Sequence, residues 1–182
     1  GGMEKGKKWY ENGKKKNKLN SFRDFIACAE FLKKENISKN ITIHGGSAGG
    51  LLIGASLNIS PDTFHCAVAE VPFVDVLNTI LDDSLPLTPP EWEEWGNPIK
   101  NKSDFDYIRS YSPYDNIKEQ NYPAILATSG LTDPRVTYWE ATKWIAKLRS
   151  KKTNDNPLFL KTYTEAGHGG MAGRYNQIKE TA

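Results

Sequence analysis

Apolar positions recur along this chain in two alternating periods. Phe22, Phe25, Ile26, Ala29 and Phe31-Leu32 fall at helical spacing and predict a helix to about Glu35, capped by Asn20 or Ser21. Ile41-Thr42-Ile43 is a short β-branched run that stops at Gly45-Gly46 and predicts a strand. A helix from about Ala48 to Asn58 follows, then a second strand run from Phe64 to Val71, closed by Pro72. Pro123 to Thr128 and Leu158 to Tyr163 predict a third and a fourth strand. Between them a helix from Val136 to about Lys151 carries Trp139, Trp144, Ile145 and Leu148. Strands that alternate with helices predict an α/β domain, a parallel sheet with helices packed on its faces.

Two stretches lack either period. Residues 1–19 are rich in Gly and Lys and predict a loop. Residues 75–116 are broken by Pro86, Pro89, Pro90, Pro98 and Pro113 and predict short helical pieces and loops. No internal repeat and no linker-like segment occurs, so one domain is expected across residues 1–182.

Composition narrows the function classes. The chain carries 24 Lys and Arg against 22 Asp and Glu, a net charge of +2, which gives no nucleic-acid signal. The basic residues do cluster early, at Lys5, Lys7, Lys8, Lys14, Lys15, Lys16 and Lys18, and read as a solvated approach to the first long helix. No run of about 18 apolar residues is present, so no membrane span is expected. Cys28 and Cys66 stand apart, without zinc-ligand or C-x-x-C spacing. Both read as small buried hydrophobes of a reducing, cytoplasmic compartment, with no metal or cofactor implied.

The strongest chemical motif is Gly45-Gly46-Ser47-Ala48-Gly49, which fits G-x-S-x-G. A serine held between a strand and a helix needs a sharp, strained turn, and flanking glycines let neighbouring backbone approach. The turn lifts the hydroxyl above the sheet and aims the Ala48 N–H at a developing oxyanion. Neither the Gly-Lys-Ser/Thr of a phosphate loop nor the glycine spacing of a dinucleotide fold is present. A serine hydroxyl needs a base, usually His. Of the three histidines, His44 lies on the strand feeding the turn and His65 reads as structural, whereas His168 follows the fourth strand in a Gly-rich loop. Asp133, just after the third strand, gives the order Ser, acid, His; Asp82, Asp83 and Glu140 lie in the irregular stretch or within a helix. As a lone loop residue Asp133 would be a turn former.

A second feature is Thr88-Pro89-Pro90-Glu91-Trp92-Glu93-Glu94-Trp95. Carboxylates beside indoles can bind a cationic side chain. The same segment also fits a capping box from Thr88 to Glu91, with Pro89 at the first helical position.

With these residues in view, the chain resembles the prolyl oligopeptidase family of serine peptidases, in its Arg/Lys-specific oligopeptidase B branch. The resemblance runs along essentially all of the chain. It is carried by Gly1 to Gly6, Trp9 to Gly13, Gly45 to Leu52, Val71 to Val76 and Pro86 to Thr88. It continues through Glu94 to Pro98, Tyr111 to Asn116, Tyr138 to Glu140 and Gly167 to Gly170. It implies the C-terminal half of an α/β-hydrolase sheet, with Ser47, Asp133 and His168 as the triad. It further implies Glu91 and Glu93 as the acidic pair for a P1 Arg or Lys, and Arg135 as a contact to substrate backbone. Short peptides are the implied substrates, cleaved through an acyl-enzyme. The family's propeller, the first strands of its sheet, the tyrosine of its oxyanion hole and the end of its last helix, near Ala182, are expected to lie outside this sequence.

Overall fold

Four short strands form one parallel sheet in chain order: β1 (Thr42–Gly46), β2 (Cys66–Glu70), β3 (Ala124–Gly130) and β4 (Leu158–Tyr163). The computed structural model describes residues 2–173 and 175–181. All four strands sit where the apolar runs predict them. Register lines up Ile43, Ala67, Ile125 and Leu158 as one buried row across the sheet. Because successive side chains alternate between faces, that row fixes which face of every strand is inside.

Two helices cover that face. One, α3 (Ala48–Ile59), packs on β1 and β2; α7 (Tyr138–Lys151) packs on β3 and β4. Ile53 and Leu57 from the first and Trp144, Ile145 and Leu148 from the second share one cluster with the buried row. Each fully buried Ile or Leu contributes about 1.5–3 kcal/mol. Among the described residues these flanking helices cover one face. The other carries Leu126 and Phe159, 37% and 60% exposed, among His44, Glu70 and Lys161.

The long helix before the sheet, α2 (Leu19–Lys34), buries Phe22, Ile26 and Ala29 as its pattern predicts. Its start differs from expectation. Its first turn has Lys18 at the cap without a side-chain cap bond, because a 3₁₀ turn at Lys15–Asn17 runs straight into it. Asn20 and Ser21 lie inside the helix and bond back to the Asn12 and Gly13 carbonyls. Residues 1–19 are also not all loop, since α1 (Lys7–Glu11) forms there. Cys28 is exposed, not buried: it lies two residues beyond Ile26, about 200° around the helix from it. Cys66 is half-buried on the uncovered sheet face.

The proline-broken stretch gives three short helices as expected, α4 (Val76–Leu81), α5 (Thr88–Trp95) and α6 (Lys102–Tyr111). Asn101 caps the last, its side chain accepting from the Ser103 N–H at 2.9 Å. Phe73, Val76, Leu77, Ile80, Trp95, Ile108 and Tyr111 make a second apolar cluster with Phe22 and Leu51. The chain closes with α8 (Asn176–Thr181); Ala182 lies outside the described residues. No described helix is long and apolar enough to cross a membrane.

Candidate active site

In a parallel sheet every strand ends on the same side, so the loops after β1, β3 and β4 open together. Ser47 is the first residue past β1. Its backbone has φ 54° and ψ −120°, a conformation that costs a non-glycine residue about 1–3 kcal/mol. Four bonds hold it there. Its N–H donates to the Glu70 carbonyl at 2.9 Å, and its carbonyl accepts from the Gly50, Leu51 and Phe73 amides. The turn is tight at Gly45, where a Cβ would lie 2.6 Å from the Gly49 oxygen. On the helix side the close approach falls one residue later than the motif suggests. A Cβ on Gly50 would lie 2.4 Å from that of Pro72, whereas one on Gly49 would meet nothing. Ala48 opens α3, and its N–H has no acceptor among the described residues.

Asp133 and His168 meet directly. Asp133 Oδ2 lies 2.7 Å from His168 Nδ1, with the Asp133 side chain wholly buried. Its other oxygen accepts the Arg135 and Val136 amides at 2.8 and 3.0 Å. The turn-forming role and the histidine-orienting role therefore coexist on two oxygens of one carboxylate. The loops that carry the pair are stitched together, since Thr132 donates through both N–H and hydroxyl to the Ala166 carbonyl. Gly130 makes that approach possible, because a Cβ there would lie 2.4 Å from the Ala166 oxygen. The remaining histidines stay away: His44 pairs with Glu70 at 3.3 Å on the uncovered face, and His65 is exposed before β2.

Ser47 and His168 open on one cleft of about 120 Å³, which Ala48, Phe73, Thr79, Glu91, Trp95 and Arg135 also line. A larger hollow of about 350 Å³ reaches His168 from the side of Glu70, Ser129 and Tyr163, but Ser47 is not part of it. The acidic segment does not form a capping box. Thr88 is already helical and donates its hydroxyl to the Thr79 carbonyl at 2.9 Å. Glu91 is thus not used as a cap, and its Oε2 accepts the Trp95 indole N–H at 2.8 Å. Glu93 does not reach the cleft. Its side chain is 86% exposed and pairs with Lys15 at 2.9 Å, which holds its carboxyl below the ordinary range. Two residues along a helix is about 200° of rotation, so a face that presents Glu91 to the cleft turns Glu93 away. Glu94 is half-buried and already engaged, bonded to Lys18 and to the Tyr10 hydroxyl at 2.6 Å each. Two lysines of the early basic run, Lys15 and Lys18, therefore clasp α5, while Lys5, Lys7 and Lys8 stand exposed as expected.

Sequence reasoning gave Glu140 little weight, yet it holds the cleft wall. It is 1% exposed, and its Oε2 accepts the Val74 and Asp75 amides at 2.9 Å each. Its Oε1 accepts the Thr79 hydroxyl at 2.7 Å. Asp75 beside it is paired with Lys143. Burial pushes the Glu140 carboxyl up to about 7, against these hydrogen bonds and with the help of Asp75. The only sequence sign was a charged residue at an otherwise core-facing position of α7. No described group of three or more His, Cys, Asp or Glu could hold a metal ion.

The sheet, the strained serine turn and the ordered loops after β3 and β4 define an α/β-hydrolase fold. The family model described as "Prolyl oligopeptidase family" matches residues 1–182. The chain belongs to that family. "Protease 2" of Moraxella lacunata is 50% identical over 184 residues, covering 100% of this chain and 26% of that protein. "Dipeptidyl aminopeptidase BI" of Pseudoxanthomonas mexicana is 47% identical, with 100% and 25% covered. Among solved structures, oligopeptidase B from Leishmania major superposes with a TM-score of 0.96 at 50% identity, covering 100% of this chain and 25% of that one. The chain thus spans about a quarter of the length of the relatives it matches.

Proposed function

We propose that this chain carries the reactive centre of a serine peptidase that cleaves short peptides after Arg or Lys. The observation that carries the reading is that Ser47, His168 and Glu91 open on one cleft, with Asp133 behind His168. Ser47 Oγ attacks the scissile carbonyl while His168 Nε2 takes its proton. Asp133, bonded to Nδ1, fixes the tautomer and stabilises the imidazolium. The Ala48 N–H, at the positive end of α3, stabilises the oxyanion. His168 then returns the proton to the leaving amine, and water releases the acyl group by the same steps in reverse.

Glu91 supplies the charge for a P1 guanidinium or ammonium, and Arg135, exposed at the cleft mouth, suits a carbonyl of the peptide backbone. Glu93 was expected to share the P1 role; with its carboxylate outside the cleft, the reading rests on Glu91. A fluorophosphonate should label Ser47 in the full-length protein, and Ser47→Ala should abolish it; labelling that survives the substitution overturns the assignment. For specificity, Glu91→Gln should lower kcat/KM for P1-Arg peptides by an amount on the order of 2–5 kcal/mol while largely sparing matched P1-Leu peptides. An unchanged Arg/Leu ratio refutes the P1 role.

The 47% identical aminopeptidase supports a second reading, release of dipeptides from a free N-terminus. Matched substrates with free and acetylated N-termini separate the two, because only the endopeptidase reading tolerates acetylation.

A further inference from the structure

We infer that Trp95 is a positioning residue for specificity, which holds Glu91 in the orientation that receives a basic side chain. The inference rests on the P1 reading of Glu91. A glutamate on a helix has several rotamers, and one that swings into solvent offers a P1 cation nothing. Trp95 lies one turn beyond Glu91 on α5, at the i+4 position whose side chain shares its face. Its indole N–H donates to Glu91 Oε2 at 2.8 Å, while Oε1 has no partner among the described residues. One oxygen is anchored and the other is left for a ligand cation. The indole itself is fixed on two sides. It is 5% exposed, its ring lies 5.6 Å from that of Phe73 across the cleft floor, and Lys18 Nζ sits 4.4 Å over it.

The neighbouring indole shows that the feature belongs to Trp95 and not to the Trp-rich segment. Trp92 sends its N–H to the Ile80 carbonyl at 3.3 Å and is not part of the cleft. Among the described residues no cationic side chain is paired with Glu91. Lys15 and Lys18 are taken by Glu93 and Glu94, so these two lysines do not neutralise it. A neutral N–H anchor orients the carboxylate without cancelling the charge a basic substrate needs. A lysine in its place would orient Glu91 and silence it.

The test compares kcat/KM for matched P1-Arg and P1-Leu peptides in the full-length protein, as wild type, Trp95→Phe, Glu91→Gln and the double variant. Phe keeps a ring against Phe73 and removes the N–H donor together with part of the indole's volume. The Arg/Leu ratio is the readout, because it cancels any loss of folded or active protein. We expect Trp95→Phe to lower that ratio about tenfold, mainly through KM for the Arg peptide. In the Glu91→Gln background the same substitution should leave the ratio unchanged, because Trp95 acts through Glu91. A purely structural role would lower both peptides' rates in proportion, leaving the ratio constant, and this overturns the inference. A ratio that falls equally in both backgrounds overturns it too, since Trp95 would then act without Glu91. If Glu91→Gln itself leaves the ratio unchanged, the P1 reading fails and takes this inference with it. If Glu91→Gln shifts the ratio and Trp95→Phe does not, this inference alone is wrong.

Discussion

Glu140 shows how much one side chain can set at the residue scale. Three donors converge on its carboxylate, yet burial outweighs them and pushes it up to about 7 from an ordinary 4.5. The folded chain therefore binds this proton more tightly than the unfolded one. Its contribution to stability is complete below the ordinary value and is lost as the pH rises through about 7. Replacing the carboxyl with an amide should flatten that loss: in Glu140→Gln, urea unfolding free energies between about pH 4.5 and 7 should vary less than in wild type. An identical pH slope in both proteins refutes the assignment. Glu140→Ala leaves the Val74 and Asp75 amides without acceptors and should cost about 3 kcal/mol. The glycines of the serine turn make a second, opposed pair. Gly50→Ala forces a Cβ onto Pro72 and should destabilise by about 2–3 kcal/mol. Gly49→Ala, in a helix with open space, should be neutral or gain up to about 1 kcal/mol. Thermal melts that rank the two the other way would contradict this account of the turn.

At the scale of elements, α5 matters most because it carries the cleft carboxylate and is held by polar clasps as well as by the packing of Trp92 and Trp95. It is clasped from one side by residues 10–18 and from the other by α4. Tyr10, Lys15 and Lys18 bind Glu93 and Glu94, and Thr88 reaches the Thr79 carbonyl. Burial disfavours the charged form of Glu94, but Lys18 and Tyr10 together hold its carboxyl below the ordinary range. The pair's contribution is therefore present above the ordinary carboxyl value and lost as the pH falls through the depressed one. Lys18→Met should destabilise the chain by about 1 kcal/mol near neutrality. The difference from wild type should shrink in acid, where Glu94 is protonated in both. A difference that stays constant down to acid unfolding would mean the loss is packing against Trp95 and not charge.

For the whole molecule, the sheet is half dressed. Among the described residues β1 and β4 are both edges, and the face opposite α3 and α7 shows Leu126 and Phe159 to solvent. Unpaired strand edges and an open apolar face favour association. The 182-residue chain by itself should therefore self-associate at micromolar concentration in sedimentation velocity. Phe159→Lys, which places charge on that face at its β4 edge, should shift it towards monomer. A wild-type chain that sediments as a clean monomer refutes the expectation.

Local chemistry made much of this legible in the sequence. The four strands and the helices that join them follow from the period of apolar positions, which needs no knowledge of partners. The serine turn follows from G-x-S-x-G, because backbone strain and glycine sterics act over a few residues. The order of Ser47, Asp133 and His168, each beyond a strand, was legible too. Their meeting was not, because 35 residues separate Asp133 from His168 and only parallel pairing of β3 with β4 brings them within 2.7 Å. The choice between Glu91 and Glu93 was likewise out of reach. The two are chemically alike and two positions apart. Which one faces the cleft depends on how α5 is rotated by Lys15, Lys18, Tyr10 and the packing of Trp95 on Phe73. Thr88 read as a cap because a cap is a local pattern, whereas its hydroxyl found a carbonyl nine residues back in α4. Glu140 stayed hidden for the same reason: its three donors come from residues 74–79, more than sixty positions upstream. The sequence determined what can be decided by steric and solvent preferences within a turn or two. The tertiary structure decided which of several equivalent side chains meets which distant partner, because that choice depends on the relative rotation and spacing of packed elements.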